Sequence, residues 1–305
     1  MFLAPVEFVR SPEARAKTYS PAEAEAYTRW LATHHYENFH VVSFLLPKRL
    51  HQDFYNVYAY CRWADDLGDE TGDRHESLRL LDWWRGELEA LYEGRATHPV
   101  FVALETTVRR HAIPRDPFAD LIRAFVQDQT VTRYRDWEEL MAYCRYSANP
   151  VGRLVLYLGG YRDTERHKLS DATCTALQLA NFWQDVTVDL AKDRVYIPLE
   201  IMQRHGCGIE DLRAPSATPA LRETMREAVA KARALFREGL PLAGMVDRRL
   251  ALDIDLFSRG GMRVLDKIER QGYDVLARRP AISKAERAGL LARSLARMAL
   301  GRAGR

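Results

Sequence analysis

The sequence predicts an all-α protein, and two observations support this fold class. Apolar residues recur at helical spacing through most of the 305-residue chain, whereas no stretch keeps the two-residue alternation of a half-buried β-strand. No Asn-Gly or Asp-Gly dipeptide joins two β-rich runs, so no hairpin is predicted either. We expect a single helical domain over residues 1–305, with its core at about 20–280, because no flexible linker divides the chain.

The helices of the first half are predicted from capping residues and apolar periodicity. Ser20 and Pro21 mark the first start, because Ser caps free backbone N–H groups and Pro suits the first helical turn. Pro47 precedes a long helix that ends before Gly72, and Gly94 ends the next one. The predicted helices cover, in order, residues 21–36, 48–70, 75–94, 99–112 and 117–128.

The second half continues in the same style, with one extended segment and one long loop. The sequence VYIP at 195–198 reads as extended, and residues 204–219 read as a loop. The predicted helix over 247–278 is either continuous or broken at Gly260-Gly261, since paired glycines weaken a helix. The predicted helices cover residues 136–158, 170–193, 219–238, 247–278 and 282–300.

Composition excludes several classes of protein. The formal net charge of +3 argues against a nucleic-acid-binding surface. The 4 Cys are scattered without a CxxC pair, as in proteins of reducing compartments. No apolar run is long enough to span a membrane and no signal peptide is recognisable, so a cytoplasmic protein is expected. No GxGxxG follows a strand, and we therefore expect no nicotinamide cofactor.

Two short acidic runs, at 64–70 and 185–193, carry the chemical information. Residues four apart share one helix face, which places Asp65 beside Asp69 and aligns Asn181, Asp185 and Asp189. Stacked carboxylates repel unless they are solvated or bind cations. Oxygen ligands of this kind suit Mg²⁺. Solvated surface faces are the alternative, which the aromatic residues flanking both runs disfavour.

Three segments carry a resemblance to a known family. CRWADDLGDE, YCRYSANPVGRLV and LQLANFWQDVTVDLAKDRVYIP resemble the signatures of the squalene/phytoene synthase family, and the likeness runs from about residue 30 to 280. It implies a class I isoprenoid synthase fold around a central cavity, with Mg²⁺ and a prenyl diphosphate bound by facing helices. It implies metal ligands at Asp65, Asp69, Asn181, Asp185 and Asp189, diphosphate contacts at Arg62, Arg194 and Tyr196, cavity aromatic side chains at Tyr58 and Tyr143, and substrate contact at Gln178.

The chain departs from the family pattern at three places. Tyr36 and Asn38 stand where many relatives have two Ser hydroxyls, and we expect them to contact substrate together with Phe39. Gln184 replaces an Arg that often precedes the second-motif aspartate. The small apolar run of the family becomes SANPVG at 147–152.

This third departure suggests how the reaction ends. Pro150 either kinks a helix or begins a fresh one capped by Asn149. Either arrangement brings polar groups to an apolar wall, and we expect Ser147 or Asn149 to hold water there. The likeness is strongest to the hydroxysqualene synthase branch, which implies that presqualene diphosphate and water give hydroxysqualene and diphosphate. The alternative is that Asn149-Pro150 only starts a helix.

Two other functions and two kinds of partner are compatible with the sequence. A condensing synthase that joins two prenyl diphosphates is the enzymatic alternative, and a non-catalytic interaction protein is the other, which the intact acidic motifs disfavour. The predicted terminal helix 282–300 is basic and amphipathic. It either contacts the inner membrane surface or is solvated. A presqualene diphosphate synthase is an expected partner that hands over the substrate.

Overall fold

The computed structural model describes residues 2–34 and 47–300, with side chains up to residue 297, and this part of the chain is helical with no strand. A single parallel β-bridge pairs Arg133 with Val195. Short 3₁₀ helices cover Lys48–Leu50, Ile209–Arg213 and Leu240–Gly244. The α-helices are α1 (Pro5–Arg10), α2 (Pro12–Ala16), α3 (Pro21–His34), α4 (His51–Asp69), α5 (Arg74–Tyr92), α6 (Pro99–His111), α7 (Asp116–Asp128), α8 (Trp137–Ser147), α9 (Asn149–Leu158), α10 (Thr164–Gln184), α11 (Val186–Ala191), α12 (Leu199–Arg204), α13 (Pro219–Gly239), α14 (Arg248–Arg270) and α15 (Lys284–Leu300).

The chain divides into two compact units. The first unit comprises Met1–Thr130 and Arg153–Arg162, and the second comprises Val131–Gly152 and Asp163–Arg305. Compactness by itself does not distinguish one domain from two. The single domain over 1–305 therefore stays a prediction.

An aromatic core holds the first unit together and fixes the orientation of α4. Trp63 of α4 stacks on Trp84 of α5, with ring centroids 5.0 Å apart and planes inclined by 6°. The Tyr60 hydroxyl donates a 2.7 Å hydrogen bond to the Phe118 carbonyl oxygen on α7. Stacked and hydrogen-bonded aromatic side chains contribute both buried area and geometric specificity. The face of α4 that carries Tyr60 and Trp63 is thereby buried.

Small residues let the helices of the second unit approach α10 closely. Gly239 at the end of α13 lies against α10, where an added Cβ would be 2.9 Å from the Leu169 carbonyl oxygen. Gly261 of α14 packs in the same way against Phe236 and Leu177. A larger side chain at either glycine would push the helices apart. Helix α10, which carries the second acidic motif, is thus held between α13 and α14.

The predicted helix starts and ends are largely confirmed. Pro21 begins α3, and Ser20 caps it by accepting a hydrogen bond from the Glu23 N–H at 3.3 Å. The Ser20 N–H donates in return to the Glu23 carboxylate at 3.0 Å, which completes a capping box. Gly94, just after α5, has φ +74°, a conformation that glycine adopts without strain.

Several element predictions were wrong in detail. The helix predicted over 136–158 is interrupted at Ala148. Helix α14 runs unbroken through Gly260-Gly261, where Gly261 packs against Phe236 of α13 and Leu177 of α10. The predicted loop 204–219 contains a 3₁₀ helix, and α1, α2 and α12 were not predicted. These short helices contain too few turns to show apolar periodicity.

The terminal helix α15 is attached to α14 by polar contacts. Glu286 accepts ion pairs from Arg263 at 2.8 Å and Lys267 at 2.7 Å. Asp255 binds Ser294 at 2.6 Å and Arg297 at 2.8 Å. The helix therefore has a defined seat on α14. Among the described residues, no helix is both long and apolar enough to cross a membrane.

Candidate functional site

Helix α4 presents the first acidic motif on the face opposite its buried aromatic residues. At 100° per residue, Asp65 and Asp69 point about 140° and 180° away from Tyr60, whereas Trp63 points back toward it. Asp65 is half-buried and Asp69 is exposed, while Trp63 is fully buried. Core packing of α4 thus orients the acidic face outward. The face consists of Tyr58, Arg62, Asp65 and Asp69.

Arg62 is held by two carboxylates of its own helix. Its guanidinium forms an ion pair with Asp65 at 3.2 Å and a second one with Asp66. The Asp66 side chain is only 6% exposed, against 43% for Asp65. A buried carboxylate needs such a partner. Asp66 was not predicted as a site residue, although its i,i+4 spacing from Arg62 was a readable signal.

Burial raises the pKa of all four cysteine thiols. Burial, reinforced by the nearby Asp65 charge, raises the pKa of the Cys61 thiol to about 12. Burial likewise raises the pKa of Cys144 to about 12 and of Cys174 to about 11, and it raises the pKa of Cys207. Only a thiolate acts as a nucleophile or metal ligand. Burial therefore disfavours the reactive form of these side chains.

The second acidic motif spans a break between α10 and α11. Asp185 has φ −108° and ψ 19° and belongs to neither helix, which corrects the prediction of one helix over 170–193. The i→i−4 backbone bonds nevertheless continue across the break: the Asp185 N–H donates to Asn181 at 2.9 Å and the Asp189 N–H to Asp185 at 2.8 Å. Asn181, Asp185 and Asp189 therefore still follow one another a turn apart, as predicted.

A cation outside the predicted motifs reaches Asp185. The Arg279 guanidinium donates to both carboxylate oxygens, through Nε to Oδ1 and through Nη2 to Oδ2 at 3.0 Å. This hydrogen bonding raises the pKa of the Arg279 guanidinium. The two residues lie 94 positions apart in the chain. Sequence reasoning missed Arg279 because no local pattern connects it to the motif.

The segment after α11 is fixed by a clamp at Asp193. Asp193 has φ +56°, a left-handed conformation that is unfavourable for most residues other than Gly, Asn and Asp. Arg133 donates to the Asp193 carbonyl oxygen and pairs with its carboxylate at 2.6 Å. The Val195 N–H bonds to the Thr132 carbonyl oxygen at 2.9 Å. These contacts fix the backbone direction of the segment that carries Arg194 and Tyr196, the two residues predicted to contact diphosphate.

A narrow cleft of about 10 Å³ gathers three predicted residues of the second unit. Asp189, Arg194 and Tyr196 line it together, with apolar walls that include Phe182 and Leu212. Arg194 is partly exposed and Tyr196 is buried. The cleft therefore brings one carboxylate, one cation and one aromatic ring to the same place.

Four stacked aromatic side chains, here called the aromatic group, adjoin this cleft. The rings of Phe182 and Tyr196 are parallel within 5° and 3.6 Å apart. Tyr143 lies 5.9 Å from Tyr196, and Tyr134 lies 5.3 Å from Tyr143. Tyr143 and Tyr196 were predicted as site residues, whereas Phe182 and Tyr134 were not. Phe182 follows Asn181 directly, which was a usable signal; Tyr134 had none.

The SANPVG segment forms a fresh helix start and keeps two polar groups buried. Helix α8 ends at Ser147 and α9 begins at Asn149, so Pro150 starts a helix rather than kinking one. The Asn149 side chain accepts a 2.8 Å hydrogen bond from the Thr175 hydroxyl on α10. The Ser147 hydroxyl is buried and has no hydrogen-bond partner within the described part of the chain.

The donor chemistry of both motifs fits a hard divalent cation. No three His, Cys, Asp or Glu side chains are grouped as metal ligands in residues 2–34 and 47–300. Mg²⁺ needs fewer, since it takes one or two protein carboxylates besides phosphate oxygens and water. Asp185 already pairs with one cation, Arg279, and Asp65 with another, Arg62. The oxygen atoms of these carboxylates already bind cationic groups and are of the type that Mg²⁺ prefers. Binding of Mg²⁺ by this chain stays a prediction.

The remaining predicted site residues lie on α4, on α10 or outside the described residues. Gln178 is partly buried on α10, a turn before Asn181, and Tyr58 is partly buried on α4. Tyr36, Asn38 and Phe39 lie outside the described residues, so their predicted substrate contacts stay predictions.

Comparisons with known proteins point to one family. The family model described as squalene/phytoene synthase matches residues 32–286. A phytoene synthase of Thermus thermophilus is 36% identical over 259 residues, covering 84% of this chain and 87% of that protein. A hydroxysqualene synthase of Rhodopseudomonas palustris is 34% identical over 240 residues, covering 78% and 81%. The crystal structure of squalene synthase HpnC from Alicyclobacillus acidocaldarius is 46% identical with a TM-score of 0.79, covering 83% of this chain and 95% of that one.

Proposed function

The chain belongs to the squalene/phytoene synthase family, and on that premise we propose that it is a hydroxysqualene synthase. Its fold is the all-α class I isoprenoid synthase fold. In the proposed reaction, presqualene diphosphate loses diphosphate, and water adds to the resulting carbocation to give hydroxysqualene and a proton. The similarity to the hydroxysqualene synthase of Rhodopseudomonas palustris supports this reaction.

The acidic motifs support the first step, the departure of diphosphate. Asp65 and Asp69 would hold Mg²⁺ at the first motif, and Asn181, Asp185 and Asp189 would hold it at the second. The bound metal would neutralise the charge of the leaving diphosphate, which is otherwise a poor leaving group. Arg194 and the Tyr196 hydroxyl, which line a narrow cleft together with Asp189, would donate to diphosphate oxygens bound at the mouth of that cleft.

The aromatic group supports the second step, in which a carbocation must survive long enough to react. Ring faces carry negative quadrupole charge and attract cations that lie over them. Tyr143 and Tyr196 are buried among other rings rather than solvated. They would shield the cation from indiscriminate attack while leaving room for one controlled nucleophile.

The buried Ser147 hydroxyl is the observation that supports water as the nucleophile. It lies one helical turn after Tyr143 on α8 and is buried with no hydrogen-bond partner among the described residues. An unsatisfied buried hydroxyl is unfavourable, and an ordered water is its usual partner. A water held there would lie close to the ring of Tyr143. Asn149, which bonds Thr175, would support the same polar wall.

Incubation with presqualene diphosphate and Mg²⁺, without reductant, tests the reaction. We expect hydroxysqualene, detected by gas chromatography and mass spectrometry, and diphosphate release in equal amounts. The Ser147→Ala variant should give a smaller share of alcohol and a larger share of hydrocarbon elimination products. Ser216→Ala, at an exposed loop position, is the matched control and should leave the product ratio unchanged. An unchanged ratio in Ser147→Ala would contradict the water assignment.

Condensation of two prenyl diphosphates is the second candidate. The 36% identity to a phytoene synthase of Thermus thermophilus favours it. Farnesyl diphosphate supplied alone separates the two activities, because a condensing enzyme consumes it and releases diphosphate, whereas the proposed enzyme does not. Turnover of neither substrate would favour a non-catalytic interaction protein instead.

We also propose that the enzyme works at a membrane surface and takes its apolar substrate there. Helix α15 exposes Leu295 at 45% and carries the exposed cation Arg293. Such a pairing of apolar and basic side chains favours anionic lipid surfaces. Co-sedimentation with anionic vesicles should exceed that with neutral vesicles, and Leu295→Glu should reduce it. A presqualene diphosphate synthase on the same membrane would supply the substrate.

A further inference from the structure

Arg279 covers both oxygens of a predicted metal ligand. Its Nε and Nη2 groups donate to Oδ1 and Oδ2 of Asp185, the second at 3.0 Å. Paired donation from one guanidinium to one carboxylate is the strongest common geometry for such an ion pair. The Asp185 side chain is 23% exposed and that of Arg279 is 51% exposed. Solvent and small cations can therefore reach the pair from outside.

The backbone that carries Arg279 is fixed on both sides of it. Before it, Asp274 accepts hydrogen bonds from the N–H groups of Ala217 at 3.0 Å and Ala277 at 3.1 Å. After it, the Lys267 ammonium donates to the Ala281 carbonyl oxygen at 2.6 Å. Arg279 therefore extends from a backbone segment that hydrogen bonds hold in place. The fold positions its guanidinium beside the Asp185 carboxylate.

We propose that Arg279 is the resident counter-ion of Asp185 and that a divalent cation must displace it to bind there. The inference rests on the proposed function, in which Asp185 binds Mg²⁺. The guanidinium uses one lone pair of each carboxylate oxygen, so a metal at Asp185 would have to share those oxygens with it at a separation of a few ångströms. The two cations also repel each other at close range. Metal binding and the ion pair are consequently competing states of one carboxylate.

In the absence of metal, the Arg279 charge offsets part of the repulsion between Asp185 and Asp189, which lie one helical turn apart. The same arrangement lowers the affinity for metal, because the ion pair must first break. Arg279 thus sets the metal concentration at which the second motif becomes loaded.

Binding of Mn²⁺ as a spectroscopic probe for Mg²⁺ tests this directly, without turnover. Electron paramagnetic resonance reports free Mn²⁺ during titration of the full-length protein. Loss of an exposed ion pair of this kind predicts about a twofold to fivefold tighter Mn²⁺ dissociation constant in Arg279→Gln. Arg278→Gln removes the same charge from the neighbouring exposed position and should change the constant much less. Arg279→Lys keeps the charge but loses the paired donation of the guanidinium. Its Mn²⁺ dissociation constant should lie between those of wild type and Arg279→Gln. Arg279→Lys also serves as the test if Arg279→Gln misfolds.

The Asp185→Asn variant separates failure of the inference from failure of the proposed function. If Asp185→Asn weakens Mn²⁺ binding while Arg279→Gln and Arg279→Lys match Arg278→Gln, the metal site stands and the counter-ion role is refuted. If Asp185→Asn binds Mn²⁺ as wild type does, Asp185 is not a metal ligand and both proposals fall. Tighter binding in Arg279→Gln together with weaker binding in Asp185→Asn supports both.

Discussion

Asp253 on α14 is a buried carboxyl group whose ionisation should destabilise the fold. Asp253 is 4% exposed, and its Oδ2 atom has no hydrogen-bond partner among residues 2–34 and 47–300. Burial, with a smaller contribution from the Asp247 charge, raises the pKa of Asp253 to about 7. The native state thus favours the neutral acid.

The sign and size of the effect follow from linkage. In the unfolded chain an Asp carboxyl has a pKa of about 3.9, so between that value and about 7 the native state binds the extra proton. Stability therefore falls as pH rises through this window and levels off above it. A shift of this size corresponds to a loss of up to about 4 kcal/mol in total, of which roughly 2.5 kcal/mol accumulates between pH 5 and pH 8.

Urea unfolding of wild type and Asp253→Asn at pH 5 and pH 8 measures this contribution. Asn has nearly the same shape as the protonated acid and cannot ionise. We expect the stability of Asp253→Asn relative to wild type to increase by roughly 2.5 kcal/mol from pH 5 to pH 8. Asp82→Asn, at an exposed position, is the matched control for loss of a surface carboxylate. If the difference between Asp253→Asn and wild type is the same at both pH values, Asp253 is ionised in the native state and the argument from burial is wrong.

Three further predictions follow from packing, from the turn and from ligand linkage. Gly239→Ala places a Cβ 2.9 Å from the Leu169 carbonyl oxygen and should lower the free energy of unfolding by about 1–3 kcal/mol, while Gly244→Ala, with open space around it, should not. Arg133→Gln removes the clamp on the left-handed Asp193 and should reduce stability in urea by about 1 kcal/mol; an unchanged midpoint would show that the turn holds itself. Mg²⁺ with diphosphate at about 100 times the dissociation constant should stabilise the protein by about 2.7 kcal/mol, seen as a higher Tm that EDTA reverses, and no shift would argue against a working site.

Local features of the fold were predictable because their causes are local. The Ser20 cap and the Pro21 start depend on residues within a turn of each other. The continuity of α14 has a physical reason that is not local. Gly260-Gly261 is intrinsically weak in a helix, yet α14 stays intact there, where Gly261 packs closely against Phe236 of α13 and Leu177 of α10. Tertiary contacts overrode a correct local tendency.

The sequence by itself determined the helical class, the spacing of the acidic motifs and the likeness to the squalene/phytoene synthase family. These depend on periodicity and on short motifs, which a chain carries whatever its partners in space. Only the tertiary structure decided that Tyr134 joins the aromatic group, that the Ser147 hydroxyl is buried, and that Arg279 meets Asp185 across 94 positions. Such contacts depend on how helices pack, and packing is set by the whole set of buried side chains rather than by the residues that finally touch.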